Sequence, residues 1–165
     1  MRWLSPSHIF VIKESKYIMN YIKGFRGKYF FLSNFSDSKI CYKGHTYKNG
    51  EAAFHSEKNG FSEYKEKLEK ANPSEAKKLG RRVKLRPDWE QVKETVMHDI
   101  VYAKFSQNED LKRKLLATGD KILIESNTWH DNYWGNCICA KCKNKYGKNM
   151  LGITLMRVRE ELKQC

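Results

Sequence analysis

Trp89, Val92, Val96, Ile100 and Phe105 recur at nearly helical spacing, and Met97 and Val101 widen the stripe they form. Apolar residues three and four positions apart share one helix face, so this stripe defines a long amphipathic helix whose apolar side needs a partner. Pro87-Asp88-Trp89-Glu90-Gln91 supplies its start signal. Upstream, Asn72-Pro73-Ser74-Glu75 sets a capping Asn, a Pro at the first helical position and a Glu at the third, which predicts a helix through Ala76 and Leu79 to about Arg82. Downstream, Asn108 is placed to cap a helix through Leu111, Leu115 and Leu116, with Gly119 ending it in a left-handed conformation.

Shorter elements flank these helices. From Gly24 to Tyr47, runs such as Lys28-Tyr29-Phe30-Phe31-Leu32 and Ile40-Cys41-Tyr42 are read as short strands and turns. Lys121 to Glu125 is an apolar run of strand type, and Leu151 to Leu162 reads as a closing helix. Neither a repeat nor a low-complexity segment interrupts the chain.

At 165 residues the chain has room for one packed domain, and two would be cramped. Thirty-two Lys and Arg against 19 Asp and Glu leave a net charge of +13, which favours partners carrying phosphate, whether a nucleotide, a sugar phosphate or a nucleic acid strand. The basic residues are spread along the chain instead of gathered in a tail, which fits a solvated lysine-rich face better than a dedicated nucleic-acid groove. No stretch reaches the roughly 20 apolar residues a membrane-spanning helix needs. The apolar run Ile9 to Ile12 stops at Lys13 and Glu14 without a cleavage site after it, so secretion is not expected. Five cysteines, three of them crowded into Cys137, Cys139 and Cys142, make a poor disulfide framework and fit a reducing cytoplasm.

Several residues qualify for chemistry. Glu51, in Asn49-Gly50-Glu51-Ala52-Ala53-Phe54, falls at a probable helix start, where the helix dipole favours its charge; first-turn acids are usually structural. The segment from Glu125 to Gly135 packs two acids, a His and three large aromatics behind a predicted strand, a composition suited to a site or to a core-plugging loop in which Asp131 caps a turn. Asn149, after Tyr146-Gly147-Lys148, offers a turn before a helix whose backbone N–H groups can cradle phosphate or ribose. Lys58, Arg81 and Lys104 are further phosphate candidates, though such bases are commonly surface or snorkelling residues. Three close thiols invite a zinc site completed by Cys41, His130 or Cys165. C-x-C-x2-C is nonetheless not a standard tetrahedral signature, so a metal-free cysteine loop is the expectation. His45, His55 and His98 form no HExxH-type pairing.

Taken in order, Phe25-Arg26-Gly27, Phe31-Leu32-Ser33-Asn34-Phe35, Glu51-Ala52-Ala53-Phe54 with Lys58, Ala76-Lys77-Lys78-Leu79-Gly80-Arg81 and Asp88-Trp89 resemble the YbiA/NADAR family of N-glycosidases. The likeness continues through Val96-Met97, Ala103-Lys104-Phe105, Leu115 to Gly119, Leu123-Ile124-Glu125, Asp131 with Trp134-Gly135, Gly147 to Gly152 and Leu155 to Arg159, and spans roughly Phe25 to Leu162. It implies a single α+β domain, mainly helical with a small sheet, over residues 24–165, with residues 1–23 as an extension outside the pattern and Met19 as a candidate start.

The resemblance also implies hydrolysis of a ribose–nitrogen bond without metal or organic cofactor. Substrates among such relatives are ribosylamino-pyrimidine phosphates of riboflavin synthesis, or N-linked ADP-ribose such as ADP-ribosylated guanine in nucleic acid. Glu51, Asp131 and Trp134 become the expected catalytic group, and Asn34, Phe35, Lys58, Arg81, Trp89, Gly135 and Asn149 the expected substrate-binding group. The alternative is a non-catalytic module that binds ADP-ribose or nucleic acid. The three-cysteine insert after Trp134-Gly135 replaces a Gly-rich stretch of some relatives.

Overall fold

A computed structural model describes residues 20–164. The expectations placed on the first 19 residues, including Met19 as a start, and on Cys165 as a metal ligand lie outside them.

The long stripe is helix α4, Trp89–Ser106, numbered after α1 (Gly50–Ser56), α2 (Ser62–Lys70) and α3 (Pro73–Arg82) and followed by α5 (Glu109–Leu116) and α6 (Met150–Lys163). Its apolar face is buried at Val96, Met97, Ile100, Val101 and Phe105, in one core with Ala52 and Ala53 of α1 and with Leu155 and Val158 of α6. The capping box predicted for α3 is present in both directions: Asn72 Oδ1 accepts from Glu75 N at 3.0 Å and Glu75 Oε2 accepts from Asn72 N at 2.9 Å. Asn108 stands at the N-cap of α5, but its side chain does not cap. It donates to the carbonyls of Lys39 and Lys104 at 3.0 and 2.7 Å, tying the helix junction to a neighbouring strand. Helix α2 had no start signal in the sequence: Phe61 makes no side-chain cap and Leu68 is the residue it buries.

Strands are short and paired in twos. β2 (Asp37–Tyr42) and β3 (His45–Asn49) form an antiparallel hairpin, pairing Ile40 with Tyr47 and Tyr42 with His45. Both residues of its turn, Lys43 (φ 48) and Gly44 (φ 81), have positive φ, the geometry of the turns that follow the natural strand twist. β1 (Tyr21–Lys23) runs parallel to β4 (Ile122–Ile124), with Ile22 and Leu123 in the core. Tyr21 to Lys23 are thus part of the sheet. β5 (Ser126–Asn127) pairs parallel with β6 (Asn136–Cys137), closing the loop between them. The architecture is α+β and mainly helical.

The aromatic run Lys28 to Leu32 is not a strand. It is a tight 3-10 turn, Gly27–Leu32, stitched by Tyr29 N to Arg26 O (3.0 Å) and Ser33 N to Phe30 O (2.9 Å). This winding sends Leu32 into the core and Phe31 edge-on to Phe105 while leaving Phe30 exposed, a division that alternation along a strand would not give. The following loop is held by a buried amine: Lys104 Nζ of α4 donates to Ser33 O and Ser36 Oγ, each at 2.8 Å, and burial pulls its pKa down to about 7. Asn34 and Phe35 sit between those two anchor points.

Candidate active site

Beside this loop lies a cavity of about 550 Å³, walled by the Arg26–Phe35 segment, α1, Lys77 and Arg81 of α3, Met97 of α4 and the segment from Glu125 to Trp134. Its acids are Glu51, Glu125 and Asp131, and its bases are Arg26, Lys58, Lys77 and Arg81. Residues as far apart in the chain as Asn34, Glu51, Lys58, Arg81, Asp131 and Trp134 meet here, with Phe35 at the wall.

Glu51 occupies the first turn of α1, whose N-cap Asn49 accepts from Ala52 N at 2.8 Å. The helix starts hard against the preceding loop. Glu51 N donates to Asn34 O at 3.0 Å, and a Cβ on Gly50 would lie 2.7 Å from Asn34 Oδ1, so the close approach requires glycine. One turn later His55 Nε2 lies 2.9 Å from Glu51 Oε1. Burial lowers the His55 pKa, outweighing the opposing pull of the Glu51 carboxylate, so the ring is neutral near pH 7 and its Nε2–H donates to Glu51. The i,i+4 spacing of Glu51 and His55 was a readable signal of this pair.

Glu125, just past β4, has nothing in its own sequence context to mark it out, yet it is the most perturbed acid of the pocket. Burial raises its pKa to about 8, and the neighbouring charges of Asp131 and Glu51 push the same way. It therefore holds its proton at neutral pH. Asp131 does two jobs: it faces the cavity, and its Oδ1 accepts from Tyr133 N and Trp134 N at 3.0 and 2.9 Å. The buried Asn127 clamps the same loop, accepting from Asp131 N and donating to Asp131 O. Asp131 thus caps the turn while lining the cavity. Trp134 meets Phe54 edge-on at 5.2 Å, while Trp129, half exposed at 50%, lies under Lys77 together with Phe35. Lys77, Trp129 and His55 join the pocket in addition to the expected residues.

Three expected binding residues do not line it. Trp89 is 5% exposed and packs on Phe54 beneath Lys58, whose Nζ is also tied to Gly80 O at 3.0 Å. Gly135 is a close-packing position: a Cβ there would come within 2.5 Å of Glu125 O. Asn149, left-handed at φ 54, braces the wall from behind by accepting from Glu125 N (3.0 Å) and donating to Leu123 O (2.8 Å). The phosphate cradle expected there is occupied by protein. The N–H groups of Lys148, Asn149, Met150 and Leu151 bond the carbonyls of Asn132, Gly135, Tyr133 and Trp134, so the N-terminus of α6 is sealed by the loop it supports.

A helical α+β domain with a pocket lined by both acids and cations is the class of molecule these features define. The chain matches the NADAR domain over residues 21–163 and belongs to that family. It is 40% identical over 134 residues to the N-glycosidase YbiA of Escherichia coli K12, a match that spans 79% of this chain and 80% of the relative. The solved structure of the E. coli protein YbiA superimposes with a TM-score of 0.72 at 34% identity, covering 90% of this chain and 91% of that one. A riboflavin biosynthesis protein of Vibrio vulnificus is 35% identical over 137 residues, 81% of this chain but 36% of the longer relative. Among the described residues no helix is long and apolar enough to cross a membrane.

Proposed function

We propose that this NADAR-family protein is an N-glycosidase that hydrolyses the ribose–nitrogen bond of a phosphorylated N-riboside. The hydrolase class rests on the family and on the activity named for its relatives. The substrate class is our reading of the pocket: four cations share one cavity with the Glu51 and Asp131 carboxylates and the protonated Glu125, a set suited to a phosphorylated ribose with a breaking C–N bond.

The observation that carries the mechanism is the contrast between two glutamates in one cavity. Glu125 is held protonated at neutral pH, while Glu51 accepts a hydrogen bond from a neutral histidine. As the C1′–N bond stretches, the ribose gains positive charge that the Glu51 carboxylate stabilises, and Glu125 delivers its proton to the departing nitrogen. A water oxygen bonds to C1′, its proton passes to Glu51, and transfer through solvent restores the proton of Glu125. This division of labour between two carboxyl groups parallels that of other glycoside-cleaving sites. Side chains and water supply every step, without cofactor. Aromatic rings at Trp134, Trp129 and Phe35 bracket the base, and Lys58, Lys77 and Arg81 meet the phosphate.

A ribosylamino-pyrimidine phosphate is the first substrate reading, supported by the cavity's size and by the riboflavin role named for the Vibrio relative. N-linked ADP-ribose, including ADP-ribosylated guanine, is the second, favoured by the exposed Phe30 and Trp129 at the mouth and by the net charge of +13. The alternative is a non-catalytic module that binds ADP-ribose or nucleic acid; the protonated Glu125 in one cavity with Glu51 and Asp131 favours catalysis over it. We assign the reaction to the cytoplasm, where the cysteines stay reduced. Incubation with ribosylaminouracil phosphate, and separately with ADP-ribosylated guanine DNA, followed by detection of released ribose-containing product, tests the proposal; binding without product from either would return the chain to the binding class.

A further inference from the structure

Between β5 and α6 the chain makes a second cluster, outside the pocket. The Nδ1 of His130 and the Sγ atoms of Cys137, Cys139 and Cys142 all lie within 4.8 Å of one another. His130 Nδ1 is 3.3 Å from Cys139 Sγ and 3.5 Å from Cys142 Sγ. In a tetrahedral site with zinc–sulfur bonds near 2.3 Å and zinc–nitrogen bonds near 2.0 Å, neighbouring ligand atoms stand roughly 3.5–3.8 Å apart, so these edges are already close to those of a coordination shell. All three thiols are free. We propose that His130, Cys137, Cys139 and Cys142 bind one zinc ion that holds the pocket wall in place.

Independent features of the segment point the same way. Between Ser126 and Asn149 the buried residues are Asn127, Gly135, Cys137 and Cys142, so no apolar core of its own supports this loop. Small loop-rich segments of this kind are commonly held by a metal or a disulfide instead. The 3-10 turn Ala140–Cys142, with Cys142 N bonded to Cys139 O at 3.0 Å, brings the last two sulfurs to one side. The backbone N–H groups of His130 and Cys139 are directed at the Cys137 sulfur, the usual outer support of a thiolate ligand. His130 itself adopts φ 67, left-handed and costly for a residue with a Cβ, and that backbone turns its ring to the sulfurs.

Four protein ligands leave no open position, so the site is structural and takes no part in the chemistry. Binding zinc deprotonates three thiols, releasing their protons to solvent, and Lys141, Lys143 and Lys145 lie in sequence beside the resulting anionic centre. Because His130 stands between Trp129 and Asp131, two pocket residues, the ion ties the cysteine insert to the wall that faces the substrate. The C-x-C-x2-C spacing leaves the fourth ligand open among Cys41, His130 and Cys165 and by itself favours a metal-free loop; the fold of the loop is what carries His130 to the three thiols.

The test uses the whole chain, purified under reducing conditions without chelator. Elemental analysis is expected to find one zinc per chain. After chelator stripping, cobalt(II) is expected to give the intense visible bands of a tetrahedral site and a sulfur-to-cobalt charge-transfer band, both abolished by added zinc. Cys139→Ser and His130→Ala are expected to weaken metal binding by 10-fold or more, and Cys41→Ser to leave it unchanged. Thiol labelling of the unsubstituted protein covers the case in which the variants fail to fold: zinc loading is expected to shield Cys137, Cys139 and Cys142 while Cys41 still reacts. A reduced protein that takes up neither zinc nor cobalt overturns the proposal, as do tetrahedral cobalt bands that persist unchanged in folded Cys139→Ser and His130→Ala, or labelling indifferent to zinc.

Discussion

His55 Nε2 stands 2.9 Å from Glu51 Oε1, and the ring that makes this contact is pinned from behind by Gly80 of α3, where a Cβ would lie 2.1 Å from His55 Nδ1. Glu51 is therefore positioned by the packing of two helices, and not by its own helix alone. Gly80→Ala is expected to push the imidazole off Glu51, lowering kcat by about 10-fold or more with a smaller change in KM and a modest fall in Tm. A variant with unchanged kcat would show that His55 does not orient the carboxylate.

Glu51→Gln keeps the size of the side chain and an oxygen for His55 but removes the negative charge. Turnover is expected to fall by about 10²–10⁴ while Tm and the circular dichroism spectrum stay near those of the parent. Hydrolysis at close to the parent rate would remove Glu51 from the mechanism.

Glu125 predicts a pH dependence. Its raised folded pKa means the proton donor is intact below about 8 and lost above it, so kcat is expected to decline as pH rises through that value. The same shift has a sign in stability. A carboxyl whose folded pKa exceeds its unfolded one contributes stability that is fully present below the ordinary value of 4.5 and is lost as pH climbs through 8. Glu125→Gln should remove both dependences and the activity; denaturant titrations at pH 5 and 8.5 alongside a rate profile check this.

Lys104 predicts the opposite slope. Its folded pKa of about 7 lies below the ordinary 10.5, so its contribution is present above 10.5 and is lost as pH falls through 7. Lys104→Met is expected to flatten the rise in stability between pH 7 and 9.5 seen in denaturant melts of the parent, and to loosen the Ser33–Ser36 loop, raising KM. A slope unchanged by the substitution would show that the buried amine is not its source.

The tryptophans should separate binding from folding. Trp129→Ala, at a half-exposed ring on the cavity mouth, is expected to raise KM with Tm nearly unchanged, and Trp134→Ala to weaken substrate binding more strongly. Trp89→Ala opens a hole beneath Phe54 and Lys58 and should cost about 3–5 kcal/mol of stability, read by thermal and denaturant unfolding. If Trp89→Ala changed KM alone, the ring would belong to the pocket after all.

Local chemistry was enough to read much of the framework. The box at Asn72 and Glu75, the stripe from Trp89 to Phe105 and the left-handed stop at Gly119 each depend on residues within a turn or two of one another, and each stands where the sequence put it. Glu51 at a helix start was legible for the same reason. What only the tertiary structure decided is which distant groups share a dielectric and a cavity. Nothing beside Glu125 in the chain says that it will be buried facing Glu51, nothing around Asn149 says that the N–H groups there will be used up by Asn132 to Gly135, and nothing near His130 singles it out from the other candidates to meet the three thiols. Periodicity and capping are set by neighbours along the backbone, whereas desolvation and convergence are set by the packing of segments that the sequence keeps far apart.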